Sequence, residues 1–334
     1  MSAKYKISNW KDYNIGLISR GNPSKVFDLE QFQEKYTEEA NNEFKNKNKR
    51  RGQNKIYTYS VVLLILFLQQ FLKMPLRQTQ GFVEFLFKIL GIKMKVPSYV
   101  RICQIRKSFD LSKITLDTLN NEKEDLSKEH DVAIDSSGMK LFSQNDWSYE
   151  KHNKKKRKDW AKIHVMVDVN SKQILEYSFT TNKVGDASEF KYILESTKYK
   201  LNLVMADGAY DTTDCLRSII AKNAKPIIPP RSNAILHNKE NEQLPKELIE
   251  REKAVQFMNT FTDRKEGRDA WKKSCEYHKR SIVENCFYRL KITFGEVLRE
   301  KIENAKNVTI KLRCALLNRF IDLARPFSCS CKLI

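Results

Sequence analysis

The stretch AKIHVMVDVNSKQILEYSFTT, residues 161–181, decides the fold class. AKIHVMVDV (161–169) and QILEYSFTT (173–181) are rich in β-branched, aromatic and other apolar residues and read as strands. Asn170, Ser171 and Lys172 between them supply turn chemistry, so the pair reads as a hairpin. Upstream, DVAID (131–135) reads as another strand. Downstream the pattern alternates: a helix in ASEFKYILESTK (187–198), a strand in LNLVMA (201–206), a helix in TTDCLRSIIAKN (212–223) and a short strand in KPIIP (225–229). The order β-β-β-α-β-α-β predicts an α/β fold. Its mixed sheet is flanked by helices, and its first three strands form an antiparallel meander.

Residues 231–276 break the alternation. They are polar and charged with an isolated Trp271, and read as an insertion. Beyond them lie an amphipathic helix in YHKRSIVENCFYRLKITFG (277–295) and a second at about 305–324. Toward the N-terminus the spacing predicts helices at 57–73, 76–82 and 82–91, with Gly91 and Pro97 as breaks. Short helices with Arg77, Gln78 and Gln80 on the second suit a helix-turn-helix-like DNA-binding unit. The apolar run VVLLILFLQQFLKM (61–74) holds two Gln and is too short to span a bilayer, so it reads as a buried helix and no membrane partner is expected.

Composition narrows the partner. The 334 residues carry a formal net charge of +20 and are 41% hydrophobic, enough for a real core. The surplus of positive charge points to nucleic acid. Basic runs lie at NKNKRRGQNK (46–55) and KKKRK (154–158). The first reads equally as a solvated linker or a DNA-contacting arm. The second, before Trp160, reads as a phosphate-contacting loop. Seven scattered cysteines include no CxxC, and Cys329 and Cys331 form a CxC in the tail. A disulfide framework and a zinc site are not expected, nor is a signal peptide, and a reducing cytoplasm fits.

The chemistry concentrates in YHKRSIVENCFYRLK (277–291). On an α-helix Tyr277, Arg280, Glu284 and Lys291 fall within a wedge of about 60°. An acid, two cations and a phenol make a poor core face but suit a surface holding metal and phosphates. Two further carboxylates close apolar strands, Asp135 in VAIDSSG and Asp207 in LNLVMADGAYD. Each alone could cap a turn. Together with Glu284 they offer hard oxygen ligands that select Mg²⁺ or Mn²⁺ over zinc. Other polar residues are secondary: Asp211 as a rival ligand or supporting group, Asp131 at a strand entry, His164 as a structural histidine, His278 off the stripe. Trp160 and Trp271 suit packing better than base stacking.

DSSGMK (135–140), KHNKKKRKDWAKIHVMVD (151–168), DGAYDT (207–212), IIPPRSNA (227–234) and YHKRSIVENCFYRLK together resemble the DDE-type transposases of bacterial insertion sequences. More narrowly, they resemble the branch with a Tyr-x2-Arg-x3-Glu-x6-Lys motif. The resemblance extends through NWKDYNIGLISRG (9–21), MPLRQTQGFVEFL (74–86) and ALLNRF (315–320). It implies an RNase H-like catalytic domain at 126–325 with the insertion at 231–276, a helical DNA-binding region at 1–125, and a tail at 326–334. It implies Asp135, Asp207 and Glu284 as the catalytic metal triad for two Mg²⁺ ions, with Mn²⁺ able to substitute. Tyr277, Arg280 and Lys291 would hold DNA phosphates. The implied activity is binding of the element's terminal inverted repeats, metal-dependent strand cleavage and strand transfer into target DNA. The implied setting is the bacterial nucleoid, as a homodimer or larger assembly on double-stranded DNA. The alternative is a catalytically decayed copy that only binds DNA. The chain departs from such relatives at NAKNVTIK (304–311), where they often carry Gln and Glu.

Overall fold

The computed structural model describes residues 4–45, 57–92, 95–117, 119, 126–142, 160–236 and 244–331. Both basic runs, 46–55 and 154–158, lie outside these residues. Eight strands are present among them: β1 (Lys4–Ile7), β2 (Glu129–Leu141), β3 (Trp160–Asp168), β4 (Ile174–Thr181), β5 (Lys200–Met205), β6 (Lys225–Ile227), β7 (Val297–Leu298) and β8 (Ser328–Cys331). The chain divides into two compact units, residues 1–123 with 300–334, and residues 124–299.

The second unit is built on a mixed sheet of order β4-β3-β2-β5-β6, with β7 beside β2. β2, β3 and β4 form the antiparallel meander, whereas β5, β6 and β7 are parallel to their neighbours. The β3–β4 turn forms where expected. Asp168 accepts bonds from the amides of Asn170 and Ser171 at 2.8 and 2.5 Å, and Lys172 takes the left-handed conformation that closes it. Alternation along β2 then sorts the sheet's two faces. Val132 and Ile134 join Val204 and Ala206 against Phe190, Ile193 and Leu194 of helix Asp186–Ser196 and Leu216 and Ile219 of helix Thr213–Ile220. Asp135 and Ser137 face the other way and meet the region of helix Ser281–Phe294.

The insertion is helical. Helices Ile249–Asn259 and Arg264–Ser274 follow a 3₁₀ turn at Lys246–Leu248. Asp211, a candidate ligand by sequence, is 8% exposed and binds Arg251 of the first of these helices at 3.0 Å and the Arg231 amide at 2.9 Å. It anchors the insertion.

The first unit is all but helical. Helix Tyr59–Leu72 buries almost every side chain between Ser60 and Gln70, as its apolar run requires, and Arg313 donates to the Gln70 side chain at 2.9 Å. The predicted break near residue 82 is absent: one helix runs Leu76–Ile89 through Gly81. Gln80 bonds Glu84 one turn on at 2.8 Å, and also accepts from the Tyr99 amide at 2.6 Å to hold the start of helix Tyr99–Lys107. No single helix among the described residues is long and apolar enough to cross a membrane.

The C-terminal end adds a helix and a strand to the first unit. Helix Glu303–Leu323 packs with the first unit, where Arg20 donates to the Phe320 carbonyl at 2.7 Å. The tail at 326–334 carries β8, which pairs antiparallel with β1 from Ile7↔Ser328 to Lys4↔Cys331. Four-residue strands at opposite chain ends leave no periodic signal, so neither was legible.

Candidate active site

The acidic residues are placed by sheet register. β2 and β5 run parallel, and their last pair is Ala133 with Met205. Asp135 and Asp207 each lie two residues further, one full pleat, so they stand side by side on the same face. Asp207 sits just past β5, where its carboxylate accepts the Ala209 amide at 2.6 Å and caps the 3₁₀ turn Gly208–Tyr210. Asp135 is still inside β2, paired with Val165 of β3. Strand ends of an open α/β sheet are where polar side chains can meet a ligand.

The motif at 277–291 approaches these strand ends, though not as one helical stripe. Glu276 takes a left-handed conformation, Tyr277–Arg280 form a 3₁₀ turn, and the α-helix begins at Ser281. The 100° spacing assumed from sequence therefore fails for Tyr277. Each motif residue nevertheless reaches the same edge. The Tyr277 hydroxyl donates to the Ala206 carbonyl at 3.3 Å, and Lys291 donates to the Ser137 hydroxyl at 2.8 Å. Arg280 donates to Asp135 at 2.9 Å and to Glu284 at 2.5 Å, and its guanidinium lies 5.7 Å from the Tyr277 ring centre.

The electrostatics follow from burial. Asp135 titrates above the ordinary aspartate range because burial disfavours its charge, with the nearby Asp207 adding to that effect. The Ser136 amide and Arg280 pull it back. Burial also pushes the Tyr277 hydroxyl up to about 12, so it stays a neutral donor at working pH. Burial opposes the charge on Arg280, but Tyr277, Asp135 and Glu284 outweigh it and hold the guanidinium above its usual value. Tyr210, buried behind Asp135 and packed 4.9 Å from Phe190, is raised well above a free tyrosine by burial. It lies inside the DGAYD stretch, but a buried supporting role has no sequence signal of its own.

Among the described residues no three His, Cys, Asp or Glu side chains are already gathered as a metal cage. Arg280 stands between two of the acids instead. The donor set is nevertheless chemically suited to a hard divalent ion: two carboxylates side by side at strand ends and a third on a neighbouring helix, with no thiolate or imidazole among them.

His164 and Trp271 take structural places. His164 is buried and pairs with the Thr180 hydroxyl at 3.0 Å. Trp271 is 9% exposed and packs 6.2 Å from the Tyr277 ring, unavailable for base stacking. His278 is exposed.

A model of the "Transposase DDE domain" matches residues 126–319, more than half the chain. The chain belongs to the DDE transposase family. A second model with the same description matches residues 33–144. The cryo-EM structure of the piggyBac transposase synaptic complex with hairpin DNA aligns over 96% of this chain and 77% of that one, at 13% identity and a TM-score of 0.41. A likeness that distant carries no argument about the site. Membership implies a metal-dependent polynucleotidyl transferase and endonuclease, and DDE transposases in general use divalent metal ions. The family domain runs past Arg299, where the second compact unit ends, into helix Glu303–Leu323.

Proposed function

We propose that Asp135, Asp207 and Glu284 are the catalytic acids of this transposase and hold two Mg²⁺ ions, with Mn²⁺ as a substitute, at the edge of the sheet. The observation that carries the reading is the convergence of the three acids through one side chain: Asp135 and Asp207 share a strand-end face, and Arg280 ties Asp135 to Glu284. When bound, such ions activate a water or hydroxyl against a phosphodiester and stabilise the leaving oxygen.

The remaining residues work on the DNA strand. Arg280, with its planar fork, suits bidentate capture of a phosphate once its carboxylate partners are otherwise engaged. Lys291 offers a point charge beside Ser137, and Tyr277 a neutral hydroxyl donor. Together they would fix the register of the scissile phosphate while carrying no sequence information. Recognition of the terminal inverted repeats falls to the N-terminal helices. Holding two element ends at once calls for a homodimer or larger assembly.

The test is strand joining. Pre-cut element ends mixed with a target plasmid should give covalent end–plasmid products with the wild-type protein. Asp135→Asn, Asp207→Asn and Glu284→Gln should each abolish them while leaving end binding largely intact. Retained joining in any of the three would remove that residue from the assignment.

A further inference from the structure

Arg268 of the inserted helix pair is a half-buried cation that makes no hydrogen bond or ion pair with any described residue. Its position is unusual. A Cβ placed on Gly208 would lie 3.4 Å from the Arg268 Nη2 and 3.2 Å from the Pro229 carbonyl oxygen. The guanidinium therefore rests against the turn that follows Asp207, in space left open by the glycine. Arg231 approaches the same turn and donates to the Ala209 carbonyl at 3.3 Å. Lys272, one helical turn beyond Arg268, holds its ammonium 5.9 Å from the Tyr277 ring centre.

A cation drawn partly out of water and left without an anion costs stability, and a fold keeps such an arrangement where a ligand completes it. The other arginines around the insertion have partners. Arg251 pairs with Asp211 and Glu252, and Arg217 pairs with Asp214 and Glu247. Arg268 instead rests against the turn that follows Asp207, a proposed metal-binding carboxylate. The anion that would approach this place is the one the acids and Arg280 are arranged around, a DNA phosphodiester.

We propose that Arg268, with Lys272 beside it, is a further phosphate-binding element of this site. It is supplied by the helical insertion and lies outside the four-residue motif. The inference rests on the transposase reading above. The insertion then adds phosphate contacts at the turn after Asp207 to those of Arg280 and Lys291.

The experiment is fluorescence anisotropy with a labelled duplex of the element's own end, across 50–200 mM NaCl, in Ca²⁺ to prevent cutting. Each phosphate contact contributes about 0.9 to the slope of log affinity against log salt. Arg268→Ala should flatten that slope by about one unit and weaken binding at least several-fold at the low-salt end, whereas Arg268→Lys should keep the slope. Arg217→Ala, which removes an equal charge from an already paired arginine, should leave the slope at the wild-type value. The thermal midpoint of Arg268→Ala should not fall, since an unpartnered cation has been removed. A slope equal to wild type in Arg268→Ala overturns the proposal, and a lowered midpoint alongside it would make Arg268 a packing residue. If the wild-type protein does not bind the end at all, the underlying reading of the site fails, and that result is distinct from a wild-type slope in the variant.

Discussion

The Arg280 guanidinium stands between Asp135 and Glu284, 2.9 Å from the first carboxylate and 2.5 Å from the second. Arg280 and Asp135 are both mostly shielded from water, while Glu284 is largely exposed. The Asp135 contact is therefore the stronger of the two, because exposed ion pairs are screened.

From this arrangement Arg280→Gln should lower the stability of the metal-free protein by roughly 1–3 kcal/mol, since a shielded carboxylate loses its charged partner. Excess Ca²⁺ should raise the thermal midpoint of the variant more than that of wild type, because a divalent cation replaces the missing charge without displacing an arginine. Scanning fluorimetry with and without Ca²⁺ checks both. Equal midpoints in EDTA would show that the bridge does not matter to the resting protein.

Asp211 and Asp207 should separate cleanly by their failures. Asp211 is buried against Arg251 and the Arg231 amide, so Asp211→Ala leaves that amide without its acceptor and Arg251 with Glu252 as its remaining carboxylate, and should cost about 1–3 kcal/mol. The folded fraction at low temperature should still cut DNA. Asp207→Asn should fold normally and cut nothing. Denaturant midpoints alongside cleavage rates make the comparison.

Gly16 is a packing constraint on the first unit. A Cβ there would meet the Leu323 carbonyl oxygen at 2.2 Å and the Ala324 Cβ at 2.7 Å. Gly16→Ala should push helix Trp10–Arg20 off the C-terminal helix and cost roughly 1–3 kcal/mol as an overpacked contact. Gly81→Ala, where nothing lies within 4 Å, should instead leave stability unchanged or slightly raised. Thermal denaturation of the two variants tests the contrast.

His164 should make the protein sensitive to mild acid. Burial lowers its pKa below the ordinary 6.5, with Asp186 and Glu189 partly opposing and Lys162 reinforcing the shift. The unfolded chain therefore takes up the proton at a higher pH than the folded chain. The stability due to the neutral ring is complete above pH 6.5 and is lost as the pH falls through the depressed folded value. Denaturant midpoints at about pH 5.5 and 7.5 should differ, and His164→Gln should narrow the difference.

The sequence disclosed the parts of this fold that obey a local period. The hairpin of β3 and β4 was legible because two apolar strands flank a turn that Asp168 and Lys172 complete. Asp135 and Asp207 were legible as candidates because each closes an apolar strand. Tyr277, Arg280, Glu284 and Lys291 were legible as a group, but their geometry was not, because a 3₁₀ turn precedes the α-helix and shows no marker in composition. The partner of Asp211 lies in a polar segment with no apolar periodicity, so Arg251 could not be read in advance. Arg268 is hidden for a related reason. Its meaning comes from the absence of a partner among the described residues in three dimensions, which no spacing records.

Convergence of Asp135, Asp207 and Glu284 on a metal-dependent cutting site can be measured on a supercoiled plasmid carrying the element's own ends. Wild-type protein and Glu284→Gln are compared in Mg²⁺, Ca²⁺ and EDTA, and nicks are mapped at nucleotide resolution. Nicks at the element ends should form in Mg²⁺ with the wild-type protein alone. Binding to the ends without cutting in any metal would contradict that convergence, leaving a protein that has kept recognition and lost its chemistry.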